Sequence, residues 1–202
     1  MKKIMFNDKI GFLTAAVIDG RKTMTRRLCP IVITPNRIED VLLHHTHHYH
    51  VGEELAVAQS YRDIEPTAKL FMYLSKRYPG RLTIEVPGWN NKMFTEAKFM
   101  PHRLRITDVR VEHLQDISDE DCLKEGVVDY SKYPQLDIPD KFGYRVEKIG
   151  KDQRMLFDTP REAFISLINK VSPMFIHEPT GRRVTAWDAN PFVYVYSFEL
   201  IK

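Results

Sequence analysis

The sequence predicts an α+β fold, a sheet with flanking helices and loop insertions, in a single domain over residues 1–202. Three observations lead there. Residues 191–201 alternate Phe192, Tyr194, Tyr196, Phe198 and Leu200 with Val193, Val195 and Ile201, the pattern of a strand buried on both faces. Residues 102–114 also alternate, but slip phase at Thr107-Asp108, as at a bulge or barrel corner. Between them, Thr159-Pro160-Arg161-Glu162 forms a capping box with proline at the first helical position, followed by Phe164, Leu167, Ile168 and Val171 at helical spacing.

The remaining elements follow in chain order. Residues 3–6 read as a short strand, Asp8 as an N-cap, and Phe12, Ala15, Ala16 and Asp19 as one helical face closed by Gly20. The next segment is Arg21-Lys22-Thr23-Met24-Thr25-Arg26-Arg27. As a regular strand it puts Thr23, Thr25 and Arg27 on one face and Lys22, Met24 and Arg26 on the other. A bend at Lys22 would instead bring that lysine beside Thr25. Val51-Gly52-Glu53 is a turn leading into a strand through Ala58, with Ser60 and Tyr61 at its far end. Residues 62–101 carry Pro66, Pro79, Gly80, Pro87 and Gly88 and read as an insertion with one strand, 81–86. Further insertions fall at about 31–48 and 130–158. Ser118 caps a short helix with acidic residues in its first turn, and Gly126 ends it. Trp187, Asp188, Asn190 and Pro191 close the loop into the last strand. Trp89 and residues 90–93 line a cleft or a lid, and Met5, Met72, Met93, Met100 and Met155 are read as core filler.

With 43% hydrophobic residues, the 202-residue chain has material for one core. Met1-Lys2-Lys3 resembles the start of a signal peptide, but Asn7, Asp8 and Lys9 interrupt the apolar run, and no window has the uncharged length of a membrane helix. Cys29 and Cys122 form neither a disulfide framework nor a zinc spacing. These features point to a cytoplasmic protein without a membrane partner. The net charge of +3 is small for nucleic-acid binding, but its distribution is uneven. Arg21, Lys22, Arg26 and Arg27 crowd near the start, whereas acidic residues gather at 116–125.

Several separated motifs resemble one family in their order. They are Gly20-Arg21-Lys22-Thr23-Met24-Thr25-Arg26-Arg27, Val51-Gly52-Glu53, Ile106-Thr107-Asp108-Val109-Arg110-Val111, Leu114-Gln115-Asp116-Ile117-Ser118 through Glu125-Gly126, and Asn190-Pro191-Phe192-Val193-Tyr194-Val195-Tyr196. Together they look like an ASCH domain of the PUA-like superfamily, in its phage-like branch. The resemblance implies a small barrel with a cleft at the Gly-Arg-Lys-Thr run and an association with RNA or modified nucleosides. One branch it is similar to hydrolyses the acetyl amide of N4-acetylcytidine with a Lys, a Thr and a Glu, carried here onto Lys22, Thr25 and Glu125. The spacing from Thr25 to Glu125 is much longer here than in that branch.

Amide hydrolysis needs a nucleophile, a base for its proton and a donor to the departing amine, roles that Thr25, Lys22 and Glu125 could fill in that order. Lysine serves as a base only if burial and neighbouring cations lower its pKa; otherwise it anchors an anion or carbonyl. Arg21, Thr23, Arg26, Arg27, Ser60 and Tyr61 complete the expected ligand-binding set. The plainer alternative is a solvated, phosphate-contacting strand edge with Glu125 as an ordinary surface residue. Arg103, Arg105 and Arg110, with Tyr61, Tyr73 and Trp89 for stacking, extend the case for RNA. His44, His45, His47, His48 and His50 invite a metal, but consecutive residues of a loop diverge, so no functional metal and no cofactor is expected. Three functions stay open: a module binding RNA or a modified nucleoside, an amidohydrolase of acylated nucleosides, and a non-catalytic phage or mobile-element accessory protein. Oligomeric state is not legible.

Overall fold

A computed structural model describes residues 1–9, 12–29, 48–132, 143–146, 156–177 and 179–201. Its frame is a mixed sheet of five strands, β1 (Lys3–Ile4), β2 (Met24–Leu28), β3 (Glu54–Val57), β4 (Arg103–His113) and the last strand (Phe192–Ile201), in the order β1, β3, β4, last strand, β2. Only the β1 and β3 pair is parallel. The strand Phe192–Ile201 lies between β4 and β2, as its two apolar faces require. The pairing of β4 with it shifts register between Ile106 and Asp108, so the slip at Thr107 is a bulge. Among the described residues the sheet does not close into a barrel; β1 and β2 are its two edges.

Helices flank this sheet: α1 (Leu13–Ile18), α2 (Ala68–Arg77), α3 (Asp119–Lys124), α4 (Pro160–Val171) and α5 (Ala186–Ala189). Thr159 caps α4 through the expected box, accepting the Glu162 N–H, and the helix buries Ala163, Phe164, Leu167 and Ile168. That face meets Leu13 and Val17 of α1 and Leu104, Ile106, Val193 and Val195 of the sheet in the main core. Small antiparallel pairs complete the fold: β5 (Val128–Asp129) with β6 (Tyr144–Arg145), and β7 (Phe175–His177) with β8 (Arg182–Val184). The last strand is therefore β9. No helix among the described residues is long and apolar enough to cross a membrane.

Several local expectations are corrected. Asp8 does not occupy the N-cap of α1; its Oδ1 accepts the Thr14 N–H at 2.9 Å, while Phe12 holds the cap position at φ 44°. Residues 81–86 do not form a strand. Thr83–Glu85 is a 3-10 turn, because Glu85 Oε2 accepts the Leu82 N–H and favours a local bond over a ladder. The same insertion contains α2, which the sequence analysis missed; Thr67 caps it and Leu70 and Leu74 pack inward. With Ala56, Tyr61, Ile64, Val86 and Met100 they form a second core. Met5, Met72 and Met93 are exposed and fill no core, unlike Met100. Part of the insertion near 130–158, and Met155, lie outside the described residues.

Leu104 is fully buried in the main core, whereas Met72 is exposed on α2. Leu104→Ala is expected to destabilise the fold by about 2–5 kcal/mol in urea unfolding, and Met72→Ala by less than about 0.5 kcal/mol.

Candidate functional site

The site begins where α1 ends. Gly20, at φ 74°, turns the chain so that the Lys22 N–H donates to the Ala16 carbonyl at 2.9 Å and the Thr23 N–H to the Lys124 carbonyl at 3.0 Å. Lys22 is thus pinned between the ends of α1 and α3 before β2 starts at Met24. Lys22 therefore lies outside the regular alternation of β2, and it lines the same cavity as Thr25. On the opposite side Gly126, at φ 104°, leaves room for it; a Cβ there would lie 3.4 Å from Leu13 Cδ2 and 3.7 Å from Lys22 Cβ.

Lys22 is 1% exposed and its Nζ donates to Glu125 twice, to Oε2 at 2.6 Å and to the main-chain carbonyl at 2.7 Å. Glu125 caps the C-terminus of α3, an unfavourable place for a carboxylate by itself. The ammonium reverses that, since it meets both the carboxylate and an otherwise unpaired helix-end carbonyl. The other oxygen, Oε1, accepts from Arg26 Nη1 at 3.2 Å. Arg26 then binds Glu112 Oε1 through Nη2 at 2.6 Å and Asp121 Oδ2 through Nη2 at 3.1 Å. Arg110 closes the group, at 2.9 Å from Glu112 Oε2 and 2.5 Å from Asp121 Oδ2. The carboxylates come from β4, α3 and the end of α3; the cations come from the Lys22 bend, β2 and β4.

Lys22, Arg26 and Glu125 of this cluster line a cavity of about 350 Å³. Lys22, Thr25, Arg26, Arg27 and Glu125 supply its polar side, and Leu13, Phe164, Leu167, Ile168 and Val193 its apolar side. Thr25, 5% exposed, reaches the cavity with a hydroxyl that makes no hydrogen bond among the described residues. Phe6 lies beneath two of the cations, its ring centroid 5.9 Å from Lys22 Nζ and 5.8 Å from Arg27 Cζ.

Burial lowers the Lys22 pKa from 10.5; Glu125 opposes that, and Arg27 and Arg26 add to it. Burial also works against the Arg26 charge, but Glu125, Glu112 and Asp121 outweigh it and raise the pKa. Asp121 is held below 3.8, because Lys124, Arg26 and Arg110 overcome the cost of burial. The two thiols are poor nucleophiles: burial pushes both Cys29 and Cys122 up to about 12.

The structure brings together Lys22, Thr25, Glu125, Arg26 and Arg27 of the expected residues, and leaves out the others. Arg21 reaches Asp19 Oδ2 at 3.3 Å, and neither it nor Thr23 lines the cavity. Ser60 donates to Asp63 Oδ2 at 2.5 Å, and Tyr61 is 2% exposed within the second core, accepting the Glu96 N–H. Both are structural there, because the insertion folds back over the end of β3. Tyr73 packs on Phe99 and binds Glu96, and Trp89 packs against the same core, so neither offers a free stacking face at the cavity. Arg105 is paired with Glu54 and Glu199 on the surface. Of the histidine tract, His44, His45 and His47 lie outside the described residues, while His48 packs edge-on against Tyr49. Glu112 and Asp121 as partners of Arg26, and Phe6 as the ring beneath the cations, are not among the residues expected from the sequence. A signal existed for the first two, in acidic residues opposite a basic run, but their pairing depends on β4 and α3 converging.

No protein-family model, curated protein or solved structure matches the chain.

Removing one partner of a buried pair strands the other charge. Glu125→Ala is therefore expected to cost about 3–5 kcal/mol of stability in denaturant unfolding. The depressed Asp121 pKa contributes stability that is present above 3.8 and lost as the pH falls through the folded-state value. Asp121→Asn should lower stability at neutral pH and flatten its decline on acidification, as followed by thermal unfolding across pH 2–6.

Proposed function

We propose that the protein hydrolyses the acyl amide of a small modified nucleoside, with N4-acetylcytidine as the representative substrate, on a PUA-like scaffold of the ASCH type. The observation that carries this is the burial of Lys22 against Glu125 at the same cavity that Thr25 lines with an unengaged hydroxyl. The scaffold reading draws on the ordered motifs, the five-stranded sheet and its bulge. It also draws on the approach of the two edge strands, where Arg27 Nη2 donates to the Met5 carbonyl just beyond β1.

In this reading Thr25 and Lys22, which line one cavity, divide the chemistry between them. Thr25 Oγ attacks the acyl carbon while the neutral Lys22 amine takes its proton, a role that the lowered pKa favours. Both Glu125 oxygens already accept from cations, so in this reading Glu125 orients Lys22 and offsets its charge, in place of donating the proton itself. The proton taken by Lys22 returns to the departing nitrogen as the C–N bond breaks. Water then attacks the Thr25 ester, releases the carboxylic acid and restores the hydroxyl.

The cavity volume, about 350 Å³, and its apolar side suit a single base with a small acyl group better than a strand of RNA. RNA affinity through phosphates needs free cations, yet Lys22, Arg26 and Arg110 are occupied by Glu125, Glu112 and Asp121. One observation favours the second reading, a nucleoside-binding module without catalysis. The two short bonds from Lys22 Nζ to Glu125 stabilise the ammonium, which would make Lys22 an anchor and not a base.

Incubation of the native chain with N4-acetylcytidine, followed by chromatography, separates these readings. Release of cytidine is expected, with kcat/KM falling about 10²–10⁴-fold in Lys22→Ala and by at least about 10³-fold in Thr25→Ala. Binding without release selects the module, and neither signal above a blank rejects both. Because the active form of Lys22 is neutral, kcat/KM should climb with pH through the lowered folded-state value and level off before 10.5.

A further inference from the structure

Arg27 Nε is one of two buried side-chain nitrogen or oxygen atoms that have no hydrogen-bond partner among the described residues; the other, Gln59 Oε1, borders a separate hollow. A buried donor left unmet costs about 1–3 kcal/mol, so its persistence calls for a reason. The guanidinium is not loose. Its Nη2 donates to the Met5 carbonyl and its Cζ lies 5.8 Å from the centre of the Phe6 ring. It is a fixed cation, with a spare N–H on a side chain that lines the cavity.

Register places that donor relative to Thr25. Residues two apart in β2 share a face, so Thr25 and Arg27 project together, opposite Tyr196 and Tyr194. The same pairing says where the main-chain amides point. Phe198 N–H donates to the Thr23 carbonyl at 2.9 Å and Cys29 N–H to the Phe192 carbonyl at 3.1 Å, which makes odd-numbered residues the hydrogen-bonded positions toward β9. The Arg26 N–H, immediately after Thr25, therefore turns away from β9, to the edge of β2 that pairs with no strand among the described residues. Arg26 and Arg27 both line the cavity.

Resting on the amidohydrolase reading, we infer that the Arg27 Nε–H and the Arg26 main-chain N–H form the oxyanion site for the tetrahedral intermediate. As the bond from Thr25 Oγ to the acyl carbon forms, the carbonyl π pair moves onto oxygen, and the hydroxyl proton passes to Lys22 Nζ. These two donors receive the resulting oxyanion. When the C=O bond re-forms, the C–N bond breaks and Lys22 returns the proton to nitrogen. Donors fixed before the reaction stabilise this charge without reorganising, the condition under which such groups are most effective. The Arg26 side chain has no part in this role, since its guanidinium is committed to Glu112, Asp121 and Glu125.

Steady-state kinetics on N4-acetylcytidine with Arg27→Met and Arg27→Lys test the assignment, with thermal unfolding run on each variant. Lys keeps a positive charge near Phe6 and Met5 but places no N–H at the Nε position. Both variants are expected to lose about 10²–10³-fold in kcat with KM changed less than about threefold. If Arg27→Met does not fold, Arg27→Lys decides. Native-like kcat in folded Arg27→Lys, or a loss confined to KM, overturns the oxyanion assignment and leaves the amidohydrolase intact. Absence of cytidine release by the native chain rejects the amidohydrolase reading, and this inference with it.

Discussion

Lys22 and Glu125 are 103 residues apart in sequence and 2.6 Å apart in space, and the arrangement of the site depends on that contact. Two charges so deeply buried forfeit hydration that one pairwise attraction does not reliably restore. The surrounding groups make up the difference. Arg26 shares Glu125, Glu112 and Asp121 share Arg26, and Arg110 holds the last two, so each charge has an opposite one within hydrogen-bond distance. Such a network is satisfied only when the bend after α1, β2, β4 and α3 are all in place. It therefore ties formation of the site to completion of the fold.

The same network limits the charge that the basic run presents. A run of cations that looks suited to phosphates has most of its charge absorbed inside the protein. What reaches the cavity is a lysine with a lowered pKa, a threonine hydroxyl and one arginine edge. The apolar side is contributed by α4 and α1.

The insertions differ in what they do. Residues 62–101 build a second core on Tyr61, Leu70, Leu74 and Met100, and draw Ser60 and Tyr61 away from the cavity. Across the molecule, Lys92 donates to the Phe6 carbonyl, to Asp8 and to Thr14, which fastens this insertion to the segment carrying Phe6. An element that reads as an insertion in sequence thus fastens the segment carrying the ring beneath Lys22 and Arg27.

The sequence alone was enough for elements whose stability is local. The capping box at Thr159, the Ser118 helix, the Gly20 turn, the bulge at Thr107 and the central position of β9 all follow from period, caps and turn residues acting within a few positions. It also singled out Lys22, Thr25 and Glu125, through resemblance and not through spacing. Tertiary structure decided what depends on distant parts meeting. It set the partners of Arg26, the burial that lowers the Lys22 pKa, the removal of Ser60 and Tyr61 from the cavity, and, among the described residues, the open edge of β2 and the unmet Arg27 donor. The physical reason is that charge pairing and desolvation act through space, so a residue's environment is fixed by chain segments to which its own sequence neighbourhood carries no reference.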